Sequence, residues 1–317
     1  MTYASATRPT FYFIGVTTEK SSIMRVFPAW AEHLGLRGAV IAGIDFPLHA
    51  DPAAYREAVA FIKNDPLSLG ALVTTHKIDL FKACRDLFDA IDPFAAGMGE
   101  TSCLSKRDGK LICHAKDPIT SGLAIDAFMA PRHFAETGAE AFCIGAGGST
   151  IAIVWHLTQP KRRPNFPSRI LVSDRNAERL DEIRALHAAE PPPVPVDYLL
   201  AESSGDNDRA VGRLKPGSLV INATGLGKDR PGSPLSDRAI FPENGYAWDL
   251  NYRGDLLFLR QARAQRDERR LRVEDGWVYF IHGWTRVISE VFDLDIPTSG
   301  PGFDAISRIA AEVGKSG

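Results

Sequence analysis

The sequence predicts an α/β protein with two domains, and three observations support this. Short β-rich runs alternate with amphipathic helical stretches from Phe11 onward, and a second series of the same kind begins at AFCIGAGGST. Alternating strands and helices build sheets covered by helices, so each series predicts its own α/β domain. The length of 317 residues also exceeds what a single hydrophobic core usually serves.

The first series predicts a sheet with mixed strand directions. FYFIGV, AVIAGID and ALVTT are the expected strands, with helices at about 23–34 and 53–63 between them. A further helix is expected at 80–90. The runs TSCLS and KLICHA flank Asp108-Gly109, which is typical of a hairpin turn, and they predict an antiparallel pair at the edge of the sheet.

The second series predicts a parallel Rossmann-type sheet. Its expected strands lie in AFCIGAGGST, RILVSDRN, SLVINATG and YAWDLNY, and the Pro-rich or charged stretches 161–169 and 188–196 are expected to be surface loops. We therefore expect a substrate-binding and catalytic domain at 1–120 and a dinucleotide-binding domain at 121–280. The segment 281–317 is expected to form C-terminal helices that return to the first domain.

Composition excludes several functional classes. A net charge of −2 offers no general attraction to nucleic acid or anionic lipid, and no stretch approaches the ~20 apolar residues that a membrane span needs. The four cysteines lie in apolar segments without metal-ligand spacing, so no metal site is expected. With no leader-like start, we expect a cytoplasmic monomer or homodimer acting on a small molecule.

The run CIGAGGST carries the clearest binding signal. Gly145, Gly147, Gly148 and Ser149 follow a predicted strand and open a predicted helix. Glycines in that context permit a tight turn and let the backbone and helix N-terminus approach a pyrophosphate. The alternative is a tight strand-to-helix turn without a ligand.

Two further segments are expected to contact the same cofactor. Asp174 ends the next strand, where a carboxylate can accept hydrogen bonds from the ribose diol, and this favours NAD. Arg175 leaves NADP as the alternative, because a guanidinium there could bind a 2′-phosphate, and Asp174 could instead only cap a helix. The turn after SLVIN places Asn222 and Thr224 near the nicotinamide half.

Lys77 and Asp117 are the candidate catalytic pair. Lys77 follows a strand and begins a helix, so it would face the cleft of an α/β fold, where its ammonium can donate to a carbonyl oxygen. Asp117 precedes the helix that leads to the second domain, and a carboxylate there could orient the ammonium. The alternatives are a solvated lysine and an aspartate that only caps the helix beside Pro118.

The order of these motifs resembles the shikimate/quinate dehydrogenase family over nearly the whole chain. FYFIGV followed by Lys20-Ser21-Ser22 resembles the family's first strand and serine-bearing substrate loop. VTTHK and KDPITSGL resemble the segments that carry its catalytic lysine and aspartate. IGAGGST resembles its cofactor loop, NATGLG and WDLNY resemble two later strands, and EDGWVYFIHGW resembles the entry to its C-terminal helices.

The resemblance implies a fold and a set of roles. Two α/β domains, the first with a mixed sheet and the second of Rossmann type, would bind substrate and NAD(P). Lys77 would relay the proton and Asp117 would be its partner. The implied substrate contacts are Ser21, Thr74 or Thr75, and Tyr252.

Several substrate positions depart from the family pattern. Where the family usually has two serines separated by one residue, this chain has Ser21 and Ile23, and Glu100 stands where an asparagine is usual. Ala115 replaces another asparagine, and His282-Gly283 stands where a glutamine is expected. Glu100 would repel an anionic substrate unless it is neutralised, and His282, His76 and Lys20 are the candidates for supplying that charge.

These features predict reversible hydride transfer between a nicotinamide and a ring hydroxyl or ketone of a shikimate- or quinate-like acid. Two alternatives remain open. One is a dehydrogenase of the same fold that acts on an uncharged or amino-substituted polyol. The other is a non-catalytic regulator that binds NAD(H), although such a protein would not need the lysine and aspartate.

Overall fold

The computed structural model describes residues 3–228 and 230–314, and it divides into two compact units. The first unit contains the residues up to Lys116 together with those from Ile281 onward, and the second unit runs from Asp117 to Phe280. Each unit has its own sheet covered by helices, so the predicted α/β class is confirmed.

The first unit contains a mixed sheet of six strands within the described ranges. The strand order is β2-β1-β3-β5-β6-β4, with β3–β5 and β5–β6 antiparallel and the other neighbours parallel. The strands are β1 (Thr10–Gly15), β2 (Val40–Asp45), β3 (Ser68–Val73), β4 (Ala90–Ile91), β5 (Cys103–Arg107) and β6 (Lys110–His114). The helices before Lys116 are α1 (Ile23–His33), α2 (Pro52–Asn64), α3 (Lys77–Cys84) and α4 (Pro93–Met98).

The second unit contains a parallel sheet, which is also six-stranded over the part of the chain that the structure describes. Its order is β12-β11-β10-β7-β8-β9, and every neighbouring pair is parallel. The strands are β7 (Ala141–Ile144), β8 (Ile170–Asp174), β9 (Val196–Leu200), β10 (Leu219–Asn222), β11 (Tyr246–Asp249) and β12 (Arg272–Glu274).

Nine further α-helices lie in the described residues. They are α5 (Asp117–Phe128), α6 (His133–Thr137), α7 (Gly148–Leu157), α8 (Ala177–Ala189), α9 (Ser204–Val211), α10 (Leu257–Ala264), α11 (Arg266–Arg269), α12 (Trp277–Phe292) and α13 (Gly300–Gly314). The boundary between the units falls inside α12. None of the helices described for 3–228 and 230–314 is long and apolar enough to cross a membrane.

The predicted hairpin is confirmed, but its position at the sheet edge and the helix before it are not. Asp108 and Gly109 both have positive φ (52° and 74°), as a two-residue β turn requires. The edge is taken by β4, which pairs with β6. The helix expected at 80–90 ends at Cys84, because Asp89 exchanges backbone and side-chain hydrogen bonds with Leu111 and draws the next residues into the sheet.

The loop between β1 and α1, which carries Ser21, is tied to β2. The backbone N–H of Thr18 donates to Asp45 Oδ1 at 2.9 Å, and Thr18 is buried. Gly43 makes room for this contact, since a Cβ there would lie 2.0 Å from Thr18 Oγ1 and 2.8 Å from Thr18 Cβ. The path of the loop therefore depends on the missing side chain at position 43.

The start of α1 caps the end of α13. Ser22 Oγ and Arg25 Nη2 both donate to the carbonyl of Gly314, at 3.3 and 3.0 Å, and Trp30 Nε1 donates to the carbonyl of Ile306 at 2.9 Å. A guanidinium at a helix C-terminus satisfies free carbonyls and opposes the negative end of the helix dipole. The Ser22 hydroxyl is thus used inside the first unit.

We expect Gly43→Ala to lower the free energy of unfolding by ~1–3 kcal/mol, since the new methyl group must displace the buried Thr18 side chain. Urea denaturation measures this. Gly97→Ala in α4 is the matched control, because no atom lies within 4 Å of a Cβ there and stability should stay level or rise. Equal stabilities for the two variants would contradict the proposed loop packing.

Candidate functional site

Lys77 lies at the carboxyl end of β3, as predicted, and is the first residue of α3. The segment 100–102 runs beside it. The N–H of Thr101 donates to the carbonyl of Lys77 at 3.1 Å, and the N–H of Val73 donates to the carbonyl of Ser102 at 3.0 Å. These backbone contacts bring the start of β5 to the same strand end as Lys77.

Glu100 belongs to this neighbourhood and is fully buried, with 0% of its surface exposed. It follows Gly99, which caps α4 in the left-handed conformation, with φ of 62°. The reversal at Gly99 turns the chain from α4 into the segment that bonds Lys77. The departure from the family at position 100 therefore lies next to the candidate catalytic lysine in the fold.

The other predicted substrate residues of the first unit differ in accessibility. Thr74 is half-buried and its hydroxyl donates to the carbonyl of Ile14 at 3.3 Å, whereas Thr75 is exposed. Ser21 is buried and follows a short 3-10 turn, with its N–H donating to the carbonyl of Thr18. Ile23, at the position where the family has a second serine, is fully buried in the apolar core.

Burial lowers the pKa of both histidines that the sequence suggests for neutralising Glu100. His282 in α12 stacks on Phe303, with ring centroids 4.4 Å apart, and burial followed by the nearby Arg286 lowers its pKa to about 4. Burial also lowers the pKa of His76, whose Nδ1 shares a 2.9 Å hydrogen bond with the Tyr55 hydroxyl. Burial therefore disfavours the charged form of the imidazole that neutralisation of Glu100 would need.

Asp117 is the first residue of α5 and begins the second unit. Its side chain is buried, and its backbone carbonyl accepts a 2.7 Å hydrogen bond from the hydroxyl of Ser121. Tyr252, also in the second unit, is half-buried with its ring against Phe280 and Trp277, at centroid distances of 4.5 and 5.3 Å.

The glycine turn has the geometry that the sequence predicts. Gly145 directly follows β7 with a φ of 107°, and a Cβ there would lie 2.9 Å from the carbonyl oxygen of Ala223. Gly147 precedes α7, which begins with Gly148 and Ser149. The first N–H groups of a helix have no partner inside it and carry the positive end of its dipole. The turn can therefore accept an anionic pyrophosphate.

Asp174 supports this turn with one carboxylate oxygen, and its other oxygen bonds the loop that leads into α8. Oδ2 accepts from the N–H of Ala146 at 2.8 Å, and Oδ1 accepts from the N–H of Asn176 at 2.9 Å. Arg175, directly after it, is exposed. The carboxylate thus fixes the glycine turn, and the guanidinium is the more accessible of the two side chains.

Asn222 ends β10 next to the glycine turn, and its side chain bonds the residues of the loop that follows. Its Oδ1 accepts from the N–H and the hydroxyl of Thr224, at 3.1 and 2.6 Å, and its Nδ2 donates to the carbonyl of Leu226 at 3.3 Å. Asn222 and Thr224, both predicted as cofactor contacts, therefore belong to one hydrogen-bonded turn at 223–227.

Sequence reasoning missed Asp249 and Asn251. Asp249 ends β11 with 0% of its surface exposed, and its Oδ1 accepts from Asn222 Nδ2 at 3.1 Å and from the Asn251 N–H at 2.9 Å. Burial raises the pKa of Asp249 to about 7, although these hydrogen bonds act in the opposite direction. The sequence feature that could have indicated Asp249 is an acidic residue directly after the apolar run Tyr246-Ala247-Trp248.

Asp249 should make stability depend on pH. Between its ordinary pKa of 3.8 and the folded value of about 7, the folded protein holds a proton that the unfolded chain releases. Stability contributed by this group is thus lost as pH rises from 4 to 7, by up to roughly 4 kcal/mol. Asp249→Asn lacks this titration, so urea denaturation at pH 4.5, 6 and 8 should show wild type losing stability relative to the variant. A constant difference would mean an ionised Asp249 throughout.

Comparison with known proteins places these features in context. No family model matches the chain. A shikimate dehydrogenase (NADP(+)) of Symbiobacterium thermophilum is 27% identical over 228 residues, which cover 71% of this chain and 70% of that protein.

Two solved structures share the fold over almost the full chain. A shikimate 5-dehydrogenase of Thermus thermophilus, in complex with NADP(H) and shikimate, has a TM-score of 0.68 at 21% identity, covering 96% of this chain and 99% of its own. A 5-ketofructose reductase of a Gluconobacter species has a TM-score of 0.66 at 18% identity, covering 97% and 100%. The resemblance predicted from the motifs is confirmed: the chain is similar to shikimate dehydrogenases in sequence and shares their fold.

Proposed function

We propose that the chain is an NAD(P)-dependent alcohol dehydrogenase that acts reversibly on a ring hydroxyl or ketone of a shikimate- or quinate-like acid. The observation that carries the proposal is the close approach of Gly145 to Ala223. It brings the glycine turn, which could bind a pyrophosphate, against the 223–227 turn at the ends of the neighbouring strands β7 and β10. The sequence similarity to a shikimate dehydrogenase supports the same class.

The second unit's residues fit a dinucleotide. A side chain at position 145 would collide with Ala223, so glycine is needed for the two turns to lie this close, and the N-terminus of α7 would hold the pyrophosphate. Ser149 lies in the first turn of that helix, and Asn222 and Thr224 shape the adjoining turn. A bound nicotinamide supplies or accepts the hydride.

The proton would be handled by Lys77. In reduction, its ammonium donates a proton to the carbonyl oxygen while the carbon receives the hydride, and in oxidation the amine takes the hydroxyl proton back. Asp117 would orient the ammonium and a neighbouring hydroxyl. Ser21, Thr74, Thr75, Tyr252, Glu100 and His282 are the proposed substrate contacts.

For the cofactor we favour NADP over the NAD expected from the sequence. Both oxygens of Asp174 already accept backbone N–H groups, which weakens its claim on the ribose diol, and the exposed Arg175 can bind a 2′-phosphate. The name of the curated relative, a NADP(+) enzyme, points the same way.

An uncharged or amino-substituted polyol is the second candidate substrate. Ile23 is apolar and buried where a carboxylate-binding serine would stand, and Ser22 donates its hydroxyl to Gly314. A buried Glu100 beside the backbone of Lys77 would further disfavour an anion. The fold is also that of a protein named a 5-ketofructose reductase.

We expect Lys77→Ala to lower kcat by ~10²- to 10⁴-fold, because the proton donor is lost. Initial rates at 340 nm with shikimate, quinate and uncharged polyols, each with NAD and NADP, measure this. Lys110→Ala, an exposed lysine on β6, is the matched control and should keep wild-type rates.

The same rates separate the two substrates. Turnover of either acid that depends on Lys77 supports the first candidate, and turnover of polyols alone supports the second. Turnover that survives Lys77→Ala would remove this lysine from the mechanism.

We expect Arg175→Ala to raise KM for NADP by about tenfold while KM for NAD changes little, since a charge-assisted contact to the 2′-phosphate is lost. Arg179→Ala on α8, whose guanidinium pairs with Glu182 at 2.8 Å, is the control and should alter neither value. An equal change for both cofactors would assign Arg175 no part in discrimination.

A further inference from the structure

Asp249 is a buried acid that binds two asparagines with a single oxygen. Its Oδ1 accepts from the side chain of Asn222 and from the backbone of Asn251. Its Oδ2 has no hydrogen-bond partner within residues 3–228 and 230–314. A buried polar atom without a hydrogen-bond partner lowers the free energy of unfolding, so an acid at this position is not explained by stability alone.

The two asparagines hold the 223–227 turn by its polar groups. Asn222 binds the N–H and hydroxyl of Thr224 and the carbonyl of Leu226. Asn251 Nδ2 donates to the carbonyls of Thr224 and Leu226, at 3.3 and 3.0 Å. Each asparagine reaches the turn from a different strand end, and Asp249 links the two.

The 223–227 turn also contacts the glycine turn. The N–H of Ala223 donates to the carbonyl of Ile144 at 2.9 Å, and the carbonyl of Ala223 is the atom that a side chain on Gly145 would strike. The backbones of the two turns are in direct contact, with no room for a side chain between them. A change in the 223–227 turn must therefore reach the pyrophosphate side as well.

We propose that Asp249 is a positioning residue that, through Asn222 and Asn251, holds the 223–227 turn in the conformation that binds the dinucleotide. This inference rests on the proposed dehydrogenase function. Asp249 is fully buried, and it would act as a hydrogen-bond acceptor between the side-chain amide of Asn222 and the backbone amide of Asn251. An uncharged acceptor of the same shape can replace it, and an apolar side chain cannot.

The test compares Asp249→Leu with Asp249→Asn. We expect Asp249→Leu to weaken NADPH binding by about tenfold or more, measured by fluorescence titration, because two hydrogen bonds are lost. We expect Asp249→Asn to bind within about threefold of wild type, because its carbonyl oxygen can accept the same two bonds. KM for the dinucleotide should rise more than kcat falls.

Val220→Ala is the matched control for lost stability. Val220 is fully buried in β10 and lies outside the hydrogen-bonded network, so the variant should lose stability while NADPH binding stays at the wild-type level. If Val220→Ala weakened binding as much as Asp249→Leu, or if Asp249→Asn were as weak as Asp249→Leu, the proposal would be overturned.

Hydrogen exchange of the cofactor-free protein separates this inference from the proposed function. Asp249→Leu should speed exchange in a peptide spanning 223–227, and Asp249→Asn should not. Unchanged exchange in Asp249→Leu overturns the positioning role even if wild type binds NADPH. A wild type that binds neither NADPH nor NADH overturns the dehydrogenase function and the role in binding together, and the exchange rates still decide whether Asp249 holds the turn.

Discussion

The second unit depends on the contact between two backbone turns at the carboxyl edge of its parallel sheet. Gly145 and Ala223 lie so close that no side chain fits between them. Parallel pairing of β7 with β10 brings the turns together, and buried amide and carboxyl groups hold the second turn in place. Polar side chains, rather than apolar packing, thus fix the shape of the surface that would meet a cofactor.

Local rules predicted much of the fold. The positive φ values at Asp108 and Gly109 follow from turn chemistry that is visible in the dipeptide, and Gly145 follows from the run of glycines after a strand. The helix expected through Ala90 was wrong because Asp89 pairs with Leu111, a partner 22 residues away. Local propensity does not include the energy of such a contact.

The same limit applied to the candidate site. The positions of Lys77 and Asn222 could be predicted because Lys77 begins a helix shortly after a recognisable strand and Asn222 ends one. The role of Asp249 depends on β11 lying beside β10, and the sequence does not state the order of the strands. Asp174 was predicted for a ribose, yet its oxygens are used by two backbone N–H groups, an arrangement that only the folded turn creates.

The capping of α13 by Ser22 and Arg25 has a consequence for synthesis on the ribosome. Those residues bond the carbonyl of Gly314, which is 292 positions further along than Ser22. The first unit is therefore discontinuous in the chain. The whole second unit is translated before α13, the last helix of the first unit, is made. The second unit can fold as an uninterrupted segment, whereas the first must wait with part of its apolar surface uncovered. Although its first strands are made earliest, the first unit is completed last.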